Sequence, residues 1–117
     1  MKKIFCFDID NTICKTHKSN YKSSNPKKNI IHTINQLYDK GHIIKIYTSR
    51  FMGRNLDNKK LAIKQGKKLT VKQLDRWKLK YHKLIMGKPS FDILIDDKSL
   101  FYKKSFHLII KKKYKLS

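Results

Sequence analysis

The chain has only eight acidic residues, all aspartate, so their placement is informative. Four of them form two tight pairs, Asp8 with Asp10 and Asp96 with Asp97, and each pair follows an apolar run. Two carboxylates at i and i+2 leaving a strand can face the same side. One could act as a nucleophile and the other as a proton donor. Like charges that close repel, so their pKa values separate or a cation joins them. Mg²⁺ suits such a set as a hard ion taking oxygen ligands, with Asp96 and Asp97 completing the site. Thr48 offers a hydroxyl to a phosphoryl oxygen, and Lys88 could balance the charge on a phosphorylated intermediate. Arg50 carries a forked guanidinium that suits phosphoryl oxygens. Asn11 and Ser49 join it as candidate substrate-binding residues. Taken singly, each of these features is ordinary, because an aspartate pair more often caps a helix or makes a turn. The ordered set is what carries weight.

Elements of defined type must position these residues. Ile4-Phe5-Cys6-Phe7 is an apolar run without alternation, as in a strand covered on both faces. It stops at Asp8. Residues 14–29 are polar and read as a loop or flap that includes Tyr21. Asn25 and Pro26 give a helix-start signal. Ile30, Ile31, Ile34, Leu37 and Tyr38 then recur at helical spacing up to Gly41. Residues 43–47 form a second strand ending at Thr48-Ser49-Arg50. In residues 51–69, Leu56, Leu61 and Ile63 suggest a short helix, with Gly66 as a breaker. Thr70-Val71-Lys72-Gln73 has the form of a capping box and predicts a helix to about residue 81, with Leu74 and Trp77 facing the core. Residues 84–86 predict a third strand and Phe91–Ile95 a fourth, which stops at Asp96. Residues 99–104 suggest a helical turn, and 106–110 a final edge strand.

Helices between consecutive strands predict an α/β fold with a mostly parallel sheet. Ligands of such folds bind outside the carboxyl ends of the strands, where three predicted strands end in Asp8/Asp10, Thr48/Arg50 and Asp96/Asp97. The length of 117 residues suits one domain, 1–117, with a basic tail at about 111–117. No apolar run is long enough to span a bilayer, and no signal-peptide core opens the chain, which predicts a cytoplasmic protein. Cys6 and Cys14 make neither a disulfide framework nor a zinc cage and read as free thiols. His42 and His82 read as structural.

The formal net charge is +21, from 26 lysines and three arginines. Such a balance can mark a nucleic acid, an anionic surface or a phosphorylated substrate as partner. It also fits an AT-rich coding sequence, because the lysines are scattered and few arginines or aromatic residues cluster with them.

Phe7-Asp8-Ile9-Asp10-Asn11-Thr12 resembles the first motif of the haloacid dehalogenase superfamily. Ile46-Tyr47-Thr48 resembles its second motif, Lys88 its third-motif lysine, and Ile93-Leu94-Ile95-Asp96-Asp97 its acidic fourth motif. All four occur in order. The resemblance implies a Rossmannoid domain in which Asp8 becomes an aspartyl phosphate. Asp10 would protonate the leaving oxygen and then activate water. Thr48 and Lys88 would bind and neutralise the phosphoryl group. Mg²⁺ would be held by Asp8, the Asp10 carbonyl, Asp96 and Asp97. The intervals between motifs leave no room for a cap domain, so the site would be open, to be covered by a large substrate, a homo-oligomer or a partner chain.

Tyr38-Asp39-Lys40-Gly41-His42, Thr48-Ser49-Arg50, Thr70-Val71-Lys72-Gln73-Leu74, Trp77, Tyr81-His82 and Gly87-Lys88-Pro89 resemble small phosphatases of that superfamily encoded with bacterial capsule or lipopolysaccharide sugar genes. This implies a phosphorylated sugar or related surface-polysaccharide precursor as substrate. Two alternatives use the charge instead. One is a nucleic-acid end phosphatase acting on 3′-phosphates. The other is a non-catalytic basic nucleic-acid-binding protein on the same scaffold.

Overall fold

The computed structural model describes residues 1–117. The apolar run at the start forms strand β1 (Ile4–Phe7), and the alternation of buried and half-buried residues after Gly41 forms β4 (Ile43–Thr48). β4 is the centre of a three-stranded parallel sheet. It pairs with β1 on one side, with Phe7 opposite Ile46, and with β5 (Lys83–Met86) on the other, with Thr48 opposite Met86. Parallel pairing requires crossovers, and two helices supply them. Helix α1 (Lys28–Asp39) joins β1 to β4, and α2 (Lys59–Arg76) joins β4 to β5. The fold is thus α/β, that of a small Rossmann-like domain.

Ile30, Ile31, Ile34 and Leu37 make the buried stripe of α1 and meet Phe7, Ile44 and Ile46 of the sheet in one core. The start of α1 differs from the sequence expectation. Asn25–Pro26 form a short strand, β3, antiparallel to β2 (Cys14–Lys15). The Lys27 amide donates to the Ile13 carbonyl at 2.9 Å, and the helix begins only afterwards. The polar flap is therefore closed at its base by this ladder.

Helix α2 is one continuous helix rather than two. Its cap is Asn58, whose side chain accepts from the Leu61 amide at 3.1 Å. Gly66 does not break it. A β-carbon there would stand 2.2 Å from the Phe51 ring, so glycine is the residue that lets this ring seat on the helix. Thr70 and Gln73, read as a cap from sequence, are buried at mid-helix because they face the loop after β4.

Two further expectations are corrected. Residues 91–95 form no strand. They make no backbone hydrogen bond, and Ile93 and Ile95 are exposed. The segment is tethered at its ends instead, by Ser90 donating to Asp57 and by Lys27 donating to Tyr102. The free edge of β1 remains unpaired. Residues 106–110 are helical, in α3 (Phe106–Lys113). Phe106 and Ile110 are buried one turn apart, a helical period, and they join the main core. No helix of the chain is long and apolar enough to cross a membrane.

Candidate active site

The parallel register brings the carboxyl ends of β1, β4 and β5 to one end of the sheet. Asp8 directly follows β1, Thr48 closes β4, and Lys88 lies two residues beyond β5. The Lys88 amide extends the ladder by donating to the Thr48 carbonyl at 3.1 Å. Gly87 makes this turn with φ +94°, and the Lys59 stem packs where a β-carbon would stand. The turn aims the Lys88 ammonium at Asp8, 3.5 Å from Oδ1. Thr12 donates to Asp8 Oδ2 at 3.3 Å.

Partial burial pushes the Asp8 carboxyl above the usual carboxylate range. The Lys88 charge, the Ile9 amide and Thr12 pull the other way without cancelling it. Asp8 is thus a carboxylate facing solvent, poorly solvated and held by one cation. Thr48 is buried, and its hydroxyl accepts from the Arg50 amide at 3.1 Å. That leaves its own O–H free to donate.

Asp10 faces a different environment. Both of its oxygens are taken by the Arg50 guanidinium, Nε to Oδ2 and Nη2 to Oδ1, each at 2.9 Å. Thr16 adds a donation to Oδ1 at 2.6 Å. The Arg50 side chain is completely buried. Sequence reasoning offered Arg50 to substrate; the structure turns it inward to Asp10. The cause is local. Phe51, the next residue, adopts φ +66° and seats its ring on Gly66, and this turn directs Arg50 under the flap. Sequence reasoning missed Gln73, Thr70, Thr16 and Ser24, which surround the guanidinium. The signal for Gln73 was present but was spent on a capping box.

Asn11 makes the turn after β1, at φ +61°, and its side-chain oxygen accepts from the Thr16 amide at 3.1 Å. Ser49 is half-buried, and its carbonyl closes the turn to Met52. His42 and His82 are structural: Nδ1 of each accepts a backbone amide, from Lys3 and Ile44 respectively, at 3.0 Å. Tyr21, part of the flap, sets its ring over Arg50, 5.0 Å from the guanidinium carbon. Cys6 and Cys14 are both free, the first exposed and the second buried.

The acids expected to hold Mg²⁺ are not gathered. No three His, Cys, Asp or Glu side chains come together where they could hold an ion. Asp96 and Asp97 are exposed, and Asp96 Oδ1 accepts from the Lys98 amide at 2.9 Å. The physical reason is the missing fourth strand: without pairing of residues 91–95 to β1, nothing carries Asp96 to Asp8. As arranged, Asp8, Asp10, Asp96 and Asp97 do not fit a Mg²⁺ site.

Comparison with known proteins gives a likeness of fold. No family model matches the chain, and no curated protein does. A crystal structure of a structural-genomics target from Vibrio cholerae superposes with a TM-score of 0.78 at 22% identity, covering 97% of this chain and 99% of that one. The chain therefore shares its architecture with that protein over nearly the full length of both.

Proposed function

We propose that this chain is a phosphomonoester hydrolase of the haloacid dehalogenase type, working through an aspartyl phosphate on Asp8. The observation that carries the reading is the Lys88 ammonium 3.5 Å from the Asp8 carboxylate, at the sheet end where Thr48 also lies. A carboxylate nucleophile attacking a dianionic phosphate needs a neighbouring cation, and Lys88 supplies it.

An Asp8 oxygen attacks the phosphorus, and the bond from phosphorus to the ester oxygen breaks. The leaving oxygen takes a proton from Asp10 or from solvent and departs as an alcohol. Lys88 and the Thr48 hydroxyl hold the equatorial phosphoryl oxygens, where charge is concentrated during transfer. Water then attacks the acyl phosphate, giving up a proton to Asp10 or to solvent. Inorganic phosphate leaves and Asp8 is restored. Mg²⁺ belongs to this reading through the sequence resemblance alone, and no step here is routed through it. The substrate class follows the same resemblance: a phosphorylated sugar or related surface-polysaccharide precursor.

The test is phosphate release from an aryl phosphate, sugar phosphates, nucleotides and 3′-phosphorylated oligonucleotides, wild type beside Asp8→Asn. Sugar phosphate turnover that is lost in Asp8→Asn supports the proposal. Equal release by both proteins overturns it.

A further inference from the structure

We propose that Arg50 and Gln73 are positioning residues for Asp10, and that Arg50 does not bind the substrate phosphoryl group. The inference rests on the phosphatase reading for the role of Asp10, but its geometry stands independently.

A guanidinium has five N–H donors. Each one of Arg50 has an acceptor inside the protein. Nε donates to Asp10 Oδ2 at 2.9 Å, and Nη2 donates to Asp10 Oδ1 at 2.9 Å and to Ser24 Oγ at 3.4 Å. Nη1 donates to Gln73 Oε1 at 2.7 Å and to Thr70 Oγ1 at 3.4 Å. The face of the group is covered by the Tyr21 ring. No donor and no surface is left for a ligand.

The fork-to-fork pair fixes the plane and direction of the Asp10 carboxylate. A buried guanidinium is tolerated only because this carboxylate and the surrounding oxygens satisfy it. Gln73 is the other half of the clamp. Its oxygen anchors Nη1, and its amide donates to the Tyr21 carbonyl at 2.8 Å. One side chain of α2 therefore holds both the arginine that aims Asp10 and the flap that roofs it.

The chain has three arginines, Arg50, Arg54 and Arg76, so the side-chain Nε–Hε region of a ¹⁵N spectrum is simple enough to follow each. The Arg50 signal should exchange slowly with water. Asp10→Asn, which is isosteric, and Gln73→Leu, which removes the amide, should shift it and speed its exchange. Saturating inorganic phosphate should leave it in place. A signal that moves with phosphate and ignores Asp10→Asn would overturn the proposal. Backbone amides of residues 9–12 and 48 report whether phosphate binds at all. If they too stay still, the phosphatase reading fails, while the response to Asp10→Asn still decides the role of Arg50.

Kinetics give the second readout. A misaimed proton-transfer group costs rate rather than binding. Gln73→Leu and Arg50→Lys should lower kcat by about 10²-fold, the scale of a displaced catalytic group, with KM little changed. A rise in KM with kcat retained would mark Arg50 as a substrate ligand instead.

Discussion

Lys88 Nζ stands 3.5 Å from Asp8 Oδ1, reaching across from the end of β5 to the end of β1 over the intervening strand β4. Two residues eighty positions apart meet because the parallel register aligns their strand ends and Gly87 turns the chain at φ +94°.

This pair makes a pH prediction. Asp8 must be ionised to attack, and its pKa is raised by burial against the opposing pull of Lys88. The acid limb of kcat/KM should therefore lie above the ordinary aspartate value of about 3.9. Lys88→Met removes the main cation favouring the carboxylate, so the limb should move to still higher pH. The same change should cost about 10²–10³-fold in kcat, as for loss of one transition-state charge partner. A pH–rate series on both proteins checks the two statements together.

Stability should oppose function at Asp8. A folded-state pKa above the unfolded one means that the native protein binds more protons between the two values. Stability then falls as pH rises through that window and stays lower above it. Asp8→Asn removes this loss. It should raise the melting temperature at pH 7, and the gain should shrink as pH falls through the raised Asp8 value and vanish below the unfolded aspartate value of about 3.9. Thermal unfolding at several pH values gives the test, and a variant less stable at pH 7 would contradict the burial argument.

Gly66 should resist substitution although it lies within a helix. Alanine there would gain about 1 kcal/mol of helix propensity. Against that, its β-carbon would stand 2.2 Å from the Phe51 ring, which Tyr21 and Arg54 also hem in. Overpacking of this kind costs about 1–3 kcal/mol and should prevail. Gly66→Ala should lower stability, and adding Phe51→Leu should recover part of the loss. Denaturant unfolding of the single and double variants reads both.

Strands β1, β4 and β5 and the body of α1 were legible from their apolar runs. Ile30, Ile34 and Leu37 left no reading but a helix. Helix α2 was obscured by Gly66 and by Thr70 and Gln73, whose meaning lies in Phe51 and Arg50, side chains distant in sequence. Residues 91–95 show the opposite failure: the apolar run Ile93-Leu94-Ile95 implies a strand, yet a strand also needs an edge to pair with, and that is a tertiary fact. In the site, Asp8 and Thr48 could be named from their positions at strand ends, and Lys88 from its place in Gly87-Lys88-Pro89 ahead of Asp96. The inward turn of Arg50 could not, because it is set by the left-handed conformation of Phe51.

The central claim is that Asp8 carries the phosphoryl group, and acid-quenched turnover followed by peptide mass spectrometry tests it most directly. The account predicts one phosphoryl group on the peptide containing Asp8, absent from Asp8→Asn. Turnover with no phosphorylated peptide at steady state or in rapid-quench samples, or a phosphoryl group on another residue, would contradict it.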